Sequence, residues 1–342
     1  MNQVNHVERK HARLSASRTE RFMACPGSVL LENQMPYEPP GEAAETGTRI
    51  HELGERLLSG EEPSTLLLKD KVDATELAMA QDYADFVNTL CENPRKKLIE
   101  VNLDDGLKSL HPALGGTADA ILVEGNTLHV VDLKTGRIPV DAEDNKQMLT
   151  YALGAMRQFN APASIEVVVH IFQPKTGHSQ WKTSGERLIS HGHELKAAAE
   201  LALSIDAPTN PGTEQCRYCK AKTICPSLRA KAAEAARQEF APDTTITPEM
   251  MDTAHMAMSW AEAVIEKGKQ QLIDDKPIEG WTLRAGRKTK FWSAPAMVED
   301  ILRDTAAAWE LRSPAQIIKL GIDLPEGMIG EKVSAPTLIR AK

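Results

Sequence analysis

Two aspartates and a lysine on neighbouring predicted strands have the clearest chemical potential in this chain. The segment GGTADAILVEGNTLHVVDLKTG predicts two strands joined by a Gly-Asn turn, with Asp119 on the first strand and Asp132 and Lys134 on the second. Residues two apart on a strand face the same side, and the hairpin brings Asp119 alongside them. The carboxylates suit a hard divalent cation such as Mg²⁺ or Mn²⁺, and the lysine suits charge building on a phosphate. The alternative is an ordinary cross-strand ion pair.

Two flanking pairs of polar residues make that alternative less attractive. His51 and Glu55, in GTRIHELGE, share one face of a predicted helix and could add a nitrogen ligand and a third carboxylate, with Glu52 as a rival for the latter role. Gln147 and Tyr151 lie one turn apart on the helix predicted after Lys134.

A second candidate site is the cysteine-rich stretch CRYCKAKTIC. It places Cys216, Cys219 and Cys225 within ten positions of a chain that has five cysteines. Structural zinc and most iron–sulfur sites take four protein ligands, and no histidine lies nearby. The stretch therefore predicts a metal site that needs a distant fourth ligand.

The elements that position these residues follow a mixed α/β pattern. Strands are predicted over 98–103, 114–124, 127–133 and in SIEVVVHIFQP, and helices over 43–58, 73–92, 144–159 and 188–205. A short helix is expected to begin at a capping box at Ser17. The chain is predicted to have a flexible arm (1–14), a core domain (15–240) and a mostly helical C-terminal domain (241–342) that begins at a Thr-Pro-Glu helix start.

The totals bound the class of protein. The 342 residues, 42% of them hydrophobic, are enough for more than one domain. The chain shows neither a signal-peptide segment nor an apolar run long enough for a membrane span, and its odd, clustered cysteines suit a reducing compartment. We therefore expect a cytoplasmic protein with no membrane partner. The net charge of −8 predicts that any DNA path is a confined groove.

Four motifs in order resemble one nuclease group. They are G-T-x-x-H-x-x-x-E, G-x-A-D, D-L-K-T and Q-x-x-x-Y, and they are similar to those of the RecB-like branch of the PD-(D/E)XK nuclease superfamily. The likeness is to its iron–sulfur members, such as the AddB nuclease domain and the CRISPR-adaptation nucleases, and to phage-encoded exonucleases. It covers roughly residues 15–230 and implies a restriction-endonuclease-like core, with a mixed central sheet flanked by helices.

The resemblance assigns roles to the candidate residues. It implies that Asp119 and Asp132 bind the metal, with His51 and the main-chain carbonyl of Leu133 as further ligands, and that Lys134 is the catalytic lysine. Glu55 would bind the metal or its waters. Gln147 and Tyr151 would position the DNA phosphate or the lysine. The aspartate at 132 departs from the glutamate that many relatives carry.

The resemblance also supplies the missing cysteine. In the iron–sulfur members the fourth ligand lies upstream of the first nuclease motif, where this chain has Cys25. A [4Fe–4S] cluster held by Cys25 and the three clustered cysteines is expected, with Zn²⁺ as the alternative. Cys91 has no partner in the sequence and is expected to be a buried apolar thiol.

The function expected from this resemblance is metal-dependent hydrolysis of DNA, by an exonuclease of phage recombination or DNA processing in the bacterial host cytoplasm. DNA is the expected partner, and a phage single-strand annealing protein and a second copy of the chain are candidate partners. The alternatives are a non-catalytic DNA-binding or scaffold subunit and a structure-specific endonuclease. WTLRAGRKTKFW (281–292) mixes basic and aromatic residues, which suits either nucleic-acid contacts or a strand with a small core.

Overall fold

A five-stranded mixed sheet forms the centre of the larger of two units. The computed structural model describes residues 12–37, 39–70, 72–91, 94–237, 245–286, 288–292, 314, 329–334 and 336–340. The chain divides into the units Met1–Trp260 and Ala261–Lys342. The first unit therefore continues past residue 240, where the sequence pattern places its end.

The elements follow one another along the chain as two sets. The described helices are α1 Thr19–Ala24, α2 Ser28–Glu32, α3 Glu42–Leu58, α4 Pro63–Asp70, α5 Ala74–Thr89, α6 Asp104–Lys108, α7 Lys146–Gln158, α8 Gly185–Ala202, α9 Thr213–Arg217, α10 Pro226–Ala235 and α11 Pro248–Ile273. The described strands are β1 Leu14–Ser15, β2 Lys96–Asn102, β3 Leu114–Gly115, β4 Thr117–Glu124, β5 Thr127–Leu133, β6 Glu166–Gln173, β7 Gly177–Ser184, β8 Trp281–Arg284, β9 Lys288–Trp292, β10 Ile329–Val333 and β11 Thr337–Arg340.

The central sheet has the strand order β2-β4-β5-β6-β7. Strand β5 pairs in parallel with β6, and the other neighbours are antiparallel. The parallel pair needs a crossover, which α7 supplies. The predicted mixed α/β class, with a sheet flanked by helices, is confirmed.

Each face of the sheet is covered by helices because each face is apolar. On one face, Met148 and Leu149 of α7 and Leu188 of α8 pack with β4, β5 and β6. On the other, Leu53 of α3 and Leu77 of α5 pack with the opposite sides of β4 and β5. This three-layer packing brings helices from both faces to the strand residues that carry carboxylates.

Two expectations about the N-terminus need correction. The predicted arm (1–14) lies mostly outside the described residues, but Leu14 begins β1, pairs with Leu114 of β3 and is only 1% exposed, so it belongs to the core. The capping box does not form, because a 3₁₀ turn precedes α1 and the hydroxyl of Ser17 hydrogen-bonds to that of Ser15 instead.

The second unit contains the end of α11 and two antiparallel strand pairs, β8 with β11 and β9 with β10. The strand-like stretch predicted at 281–292 corresponds to β8 and β9, whereas β10 and β11 were not expected. No helix among the described residues is both long enough and apolar enough to cross a membrane.

Candidate functional site

Three potential metal ligands from three different elements come together beside the central sheet. His51 of α3, Glu100 of β2 and Asp119 of β4 each place one ligand atom so that all three atoms lie within 4.8 Å of one another. His51 Nδ1 is 3.4 Å from Asp119 Oδ1. An octahedral ion with bonds of about 2.1 Å holds its ligands about 3–4 Å apart, so this set fits a small divalent cation. In the part of the chain that the structure describes, neither Glu52 nor Glu55 belongs to this group.

The strand geometry explains why Asp119 is available. Strand β2 pairs with β4 on either side of Glu100, through Ile99 and Val101, but Glu100 itself has φ of 50° and makes no ladder pair with Asp119 opposite it. The ladder between β4 and β5 ends at Ala120. In its place, the Leu133 N–H donates to Asp119 Oδ2 at 2.7 Å. The described strands therefore separate around Asp119, which leaves room for a ligand.

A second group of charged and polar side chains adjoins these ligands. Lys134 Nζ lies 2.7 Å from Asp132 Oδ2 and donates to Gln147 Oε1 at 3.1 Å. The Gln147 amide also donates to Asp132 Oδ1 at 3.0 Å and to the Tyr151 hydroxyl at 3.1 Å. Asn145 caps α7 by accepting from the Met148 N–H, which places Gln147 in the first turn of that helix. Gln147 thus fixes both the lysine and the aspartate.

The pKa shifts reflect buried negative charge. Burial alone would lower the pKa of His51, but Asp119 raises it to about 9. Burial opposes ionisation of Asp119, yet His51 and the Leu133 N–H lower its pKa. Burial, partly offset by Lys134, raises the pKa of Asp132. Burial acts to lower the pKa of Lys134, and Asp132 and Asp119 reverse this effect. The site therefore attracts cations.

The structure brings most of the predicted site residues together. His51, Asp119, Asp132, Lys134, Gln147 and Tyr151 form one connected constellation. Glu55 lies one turn after His51 on α3, and its role stays a prediction, as does the role of the Leu133 carbonyl. Glu100 was missed. Its signal is its place on the predicted strand LIEVNL, but its relevance depends on the pairing of β2 with β4, which the local sequence does not specify.

The four predicted cluster cysteines also converge. Cys25 ends α1, and its sulfur accepts from the Asn210 N–H at 3.3 Å. Burial, together with the proximity of Cys216 and Cys225, raises the pKa of Cys25. Burial raises the pKa of Cys219 to about 11, and Cys216 adds to this shift. These sulfurs are therefore near neighbours although Cys25 is far from the others in sequence.

Two buried polar atoms test whether these residues fit a metal cluster. Thr223 Oγ1 and Trp260 Nε1 have no hydrogen-bond partner in the described part of the chain. Trp260 packs against the hydrophobic cluster that contains Cys216 and Cys225. Both can donate a hydrogen bond, and sulfide or thiolate sulfur would be an acceptor for them. The donor set and these two atoms fit a sulfur-rich group.

The spacing of the sulfurs bears on which group that is. One tetrahedral zinc with bonds of about 2.3 Å requires its four sulfurs to be about 3.8 Å apart. Among the described residues, the group whose ligand atoms lie within 4.8 Å of one another is the His51 group, and the cysteines do not form such a set. A four-iron cluster binds each thiolate to a different iron, which allows wider spacing. The geometry fits the cluster better than zinc.

A cavity of about 680 Å³ lies between the candidate site and the cysteine segment. Lys134 and Gln147 line it on one side, Arg137 belongs to the loop after β5, and Arg217 and Tyr218 come from the cysteine segment. Tyr218 is 70% exposed, so its ring is free to contact a ligand. The volume is in the usual range for ligand pockets, about 300–1,000 Å³.

Comparison with known proteins places the chain in a family. Residues 11–321 match the model of a family described as protein of unknown function, DUF2800. The chain belongs to that family. Among solved structures, this DUF2800 protein is similar to SSO0001, with 16% identity and a TM-score of 0.31 over 65% of this chain and 89% of the other. Neither description names an activity.

Proposed function

We propose that this protein is a metal-dependent deoxyribonuclease of the RecB-like PD-(D/E)XK type, and specifically an exonuclease. The observation that carries the proposal is the His51, Glu100 and Asp119 ligand group next to the buried Asp132–Lys134 pair. An ordinary surface ion pair would not require a histidine, two further carboxylates and a glutamine to be held around it. The four sequence motifs add to this support, and the exonuclease label depends on them alone.

The chain's own residues divide the chemistry between them. His51, Glu100 and Asp119 would hold Mg²⁺ or Mn²⁺, with Asp132 as a neighbouring carboxylate. When bound, the cation would neutralise charge on the scissile phosphate and lower the pKa of a water. Lys134 would stabilise the negative charge that develops on the phosphate, and Gln147 would keep Lys134 in place.

DNA is the proposed substrate because of what lines the adjoining cavity. Arg137 and Arg217 can contact phosphates, and the exposed ring of Tyr218 can stack on a base. The cavity is confined, as expected for a DNA path on a chain with net charge −8. We further propose a [4Fe–4S] cluster on the four cysteines as a structural group, a cytoplasmic location, and a phage annealing protein or a second copy as partners.

The test is digestion of linear and covalently closed circular DNA with Mg²⁺ or Mn²⁺. We expect linear DNA to be degraded and circles to survive. Asp132→Ala and Lys134→Ala should abolish cleavage while leaving the fold intact by circular dichroism. Lys182→Ala, which removes an exposed lysine of β7, is the matched control and should retain activity.

Other outcomes would change the assignment. Cleavage of circles would indicate an endonuclease. If no DNA is degraded but DNA still binds, the protein is a binding or scaffold subunit. Wild-type rates in Asp132→Ala or Lys134→Ala would show that the active site lies elsewhere.

A further inference from the structure

Tyr83 is a buried residue whose hydroxyl has no hydrogen-bond partner in the part of the chain that the structure describes. The residue lies on α5 and is only 2% exposed. Folding removes this hydroxyl from water without replacing the lost hydrogen bonds, which is unfavourable. Such a group in a native fold therefore calls for an explanation, such as a partner that is bound only in the working protein.

The ring of Tyr83 packs against the elements that carry the metal ligands. Gly54 lies three residues after His51 on α3, and a Cβ atom at Gly54 would be 2.9 Å from Tyr83 Cδ1. Tyr83 also shares a hydrophobic cluster with Ala120, which follows Asp119 on β4. Phe172 of β6 flanks the ring, with the two ring centroids 6.2 Å apart. The residue is therefore enclosed between α3 and the sheet, beside the ligand group.

The electrostatic surroundings of the hydroxyl are those of the candidate metal site. Burial raises the pKa of Tyr83 well above its usual value, and Asp119, Glu100 and Asp132 raise it further. These carboxylates are the ones proposed to surround the cation. The phenol therefore stays neutral at physiological pH, and a neutral phenol oxygen can accept a hydrogen bond.

We propose that the Tyr83 hydroxyl accepts a hydrogen bond from a water in the coordination sphere of the cation held by His51, Glu100 and Asp119. The proposal rests on the metal site of the proposed function. Hard cations such as Mg²⁺ and Mn²⁺ commonly take six ligands and keep several waters, so three protein ligands leave positions for water. Tyr83 is then a positioning residue for the metal-bound solvent, and the hydroxyl obtains its partner only when the metal is present.

The test compares Tyr83→Phe with wild type in two measurements that a purely structural tyrosine would move differently. The first is Mn²⁺ affinity, by calorimetry or electron paramagnetic resonance. The second is the melting temperature of the metal-free protein. We expect Mn²⁺ to bind about tenfold more weakly to Tyr83→Phe, because partners of metal-bound groups typically have effects of this size. The metal-free melting temperature should be unchanged or higher, because the variant removes an unpaired buried hydroxyl.

Two controls separate the possible failures. Tyr37→Phe changes a tyrosine that is 84% exposed and should match wild type in both measurements. Asp119→Asn should abolish Mn²⁺ binding. If wild type binds Mn²⁺ no better than Asp119→Asn, the metal site itself is wrong and the proposal fails with it. If wild type binds and Tyr83→Phe binds equally well, or if the variant lowers the metal-free melting temperature, only the role of Tyr83 is overturned.

Discussion

Gln147 holds two charged side chains of the candidate site through a single amide group. Its oxygen accepts from Lys134, and its nitrogen donates to both Asp132 and the Tyr151 hydroxyl. An amide can satisfy an ammonium and a carboxylate at once because it has both an acceptor and donors. A glutamate in this position could not donate to Asp132. Gln147 therefore sets the direction of the lysine towards the cavity.

Replacing Gln147 by alanine should lower the rate of DNA cleavage by about 10- to 100-fold without abolishing it, because Lys134 and Asp132 remain but lose their orientation. Lys134→Ala should be far more severe. Gln158→Ala is the matched control, because Gln158 ends the same helix and donates to the Asn102 carbonyl instead. Equal cleavage rates in Gln147→Ala and wild type, measured on linear DNA at saturating Mn²⁺, would contradict the positioning role.

Residue patterns predicted the candidate site better than they predicted its surroundings. Asp119, Asp132 and Lys134 were accessible because a Gly-Asn turn and the period of a strand fix which side chains meet. Glu100 was not, because its contribution depends on an antiparallel partner far along the chain and on a local break in the ladder. Tyr83 was not either, since nothing local distinguishes a tyrosine beneath a metal site from a core aromatic.

At the scale of elements, the N-terminal helices are fastened to the cysteine segment by a buried carboxylate. Glu32 of α2 pairs with Arg18 and Arg21 and accepts from the Lys220 N–H at 3.0 Å. Burial opposes ionisation of Glu32, but the Lys220 N–H and Arg21 lower its pKa. Arg21 also donates to the Tyr218 carbonyl at 2.8 Å. These contacts hold Cys25 next to the other three cysteines.

Cys25→Ala and Cys225→Ala should destabilise the cluster-loaded protein to a similar extent. Each removes one of four ligands, and the loss of a clip that closes so long a loop is comparable to the loss of a disulfide, about 2–5 kcal/mol. Cys91→Ala is the control, because Cys91 packs in the apolar cluster on the other face of the sheet. It should keep the visible absorbance of the cluster. A colourless wild-type protein prepared anaerobically with stoichiometric zinc would rule out iron.

The order of the main elements could be predicted because periodicity and turn residues are local. Helices α3, α5 and α7 and strands β4 and β5 begin and end close to the predicted residues. Strand β7 was missed because GHSQWKTS has few of the β-branched and large apolar residues that mark a strand. It forms because its backbone pairs along the whole of β6. Long-range pairing of this kind is not written in local composition.

At the scale of the whole molecule, several histidines are buried in the neutral form. His170 lies in a row with His129 and His178, at ring nitrogen distances of 3.1 and 3.2 Å, and burial lowers its pKa to about 3. His191 of α8 contacts the Thr150 hydroxyl at 3.0 Å. Burial, together with Arg187, lowers the pKa of His191 to about 4. The fold therefore excludes protons that the unfolded chain would bind.

This arrangement predicts acid sensitivity with a defined sign. In the unfolded chain histidine titrates near pH 6.5, so below that pH the unfolded state binds protons that folded His191 does not, and the free energy of unfolding decreases until the pH reaches about 4. Between pH 7 and pH 5 the loss from His191 is about 2 kcal/mol. The stabilisation is fully present above the unfolded pKa. Urea unfolding of wild type at the two pH values measures it directly.

A pair of variants on the same helix isolates the contribution of His191. His191→Gln can keep a hydrogen bond to Thr150 but cannot titrate, so its stability should fall by about 2 kcal/mol less than that of wild type between pH 7 and pH 5. His193→Gln alters an exposed histidine two residues away and should leave the pH dependence unchanged. The comparison uses the difference between two pH values within each variant, so a constant packing defect from the substitution cancels. If His191→Gln loses as much stability in acid as wild type, the neutral buried histidine is not the source of the sensitivity.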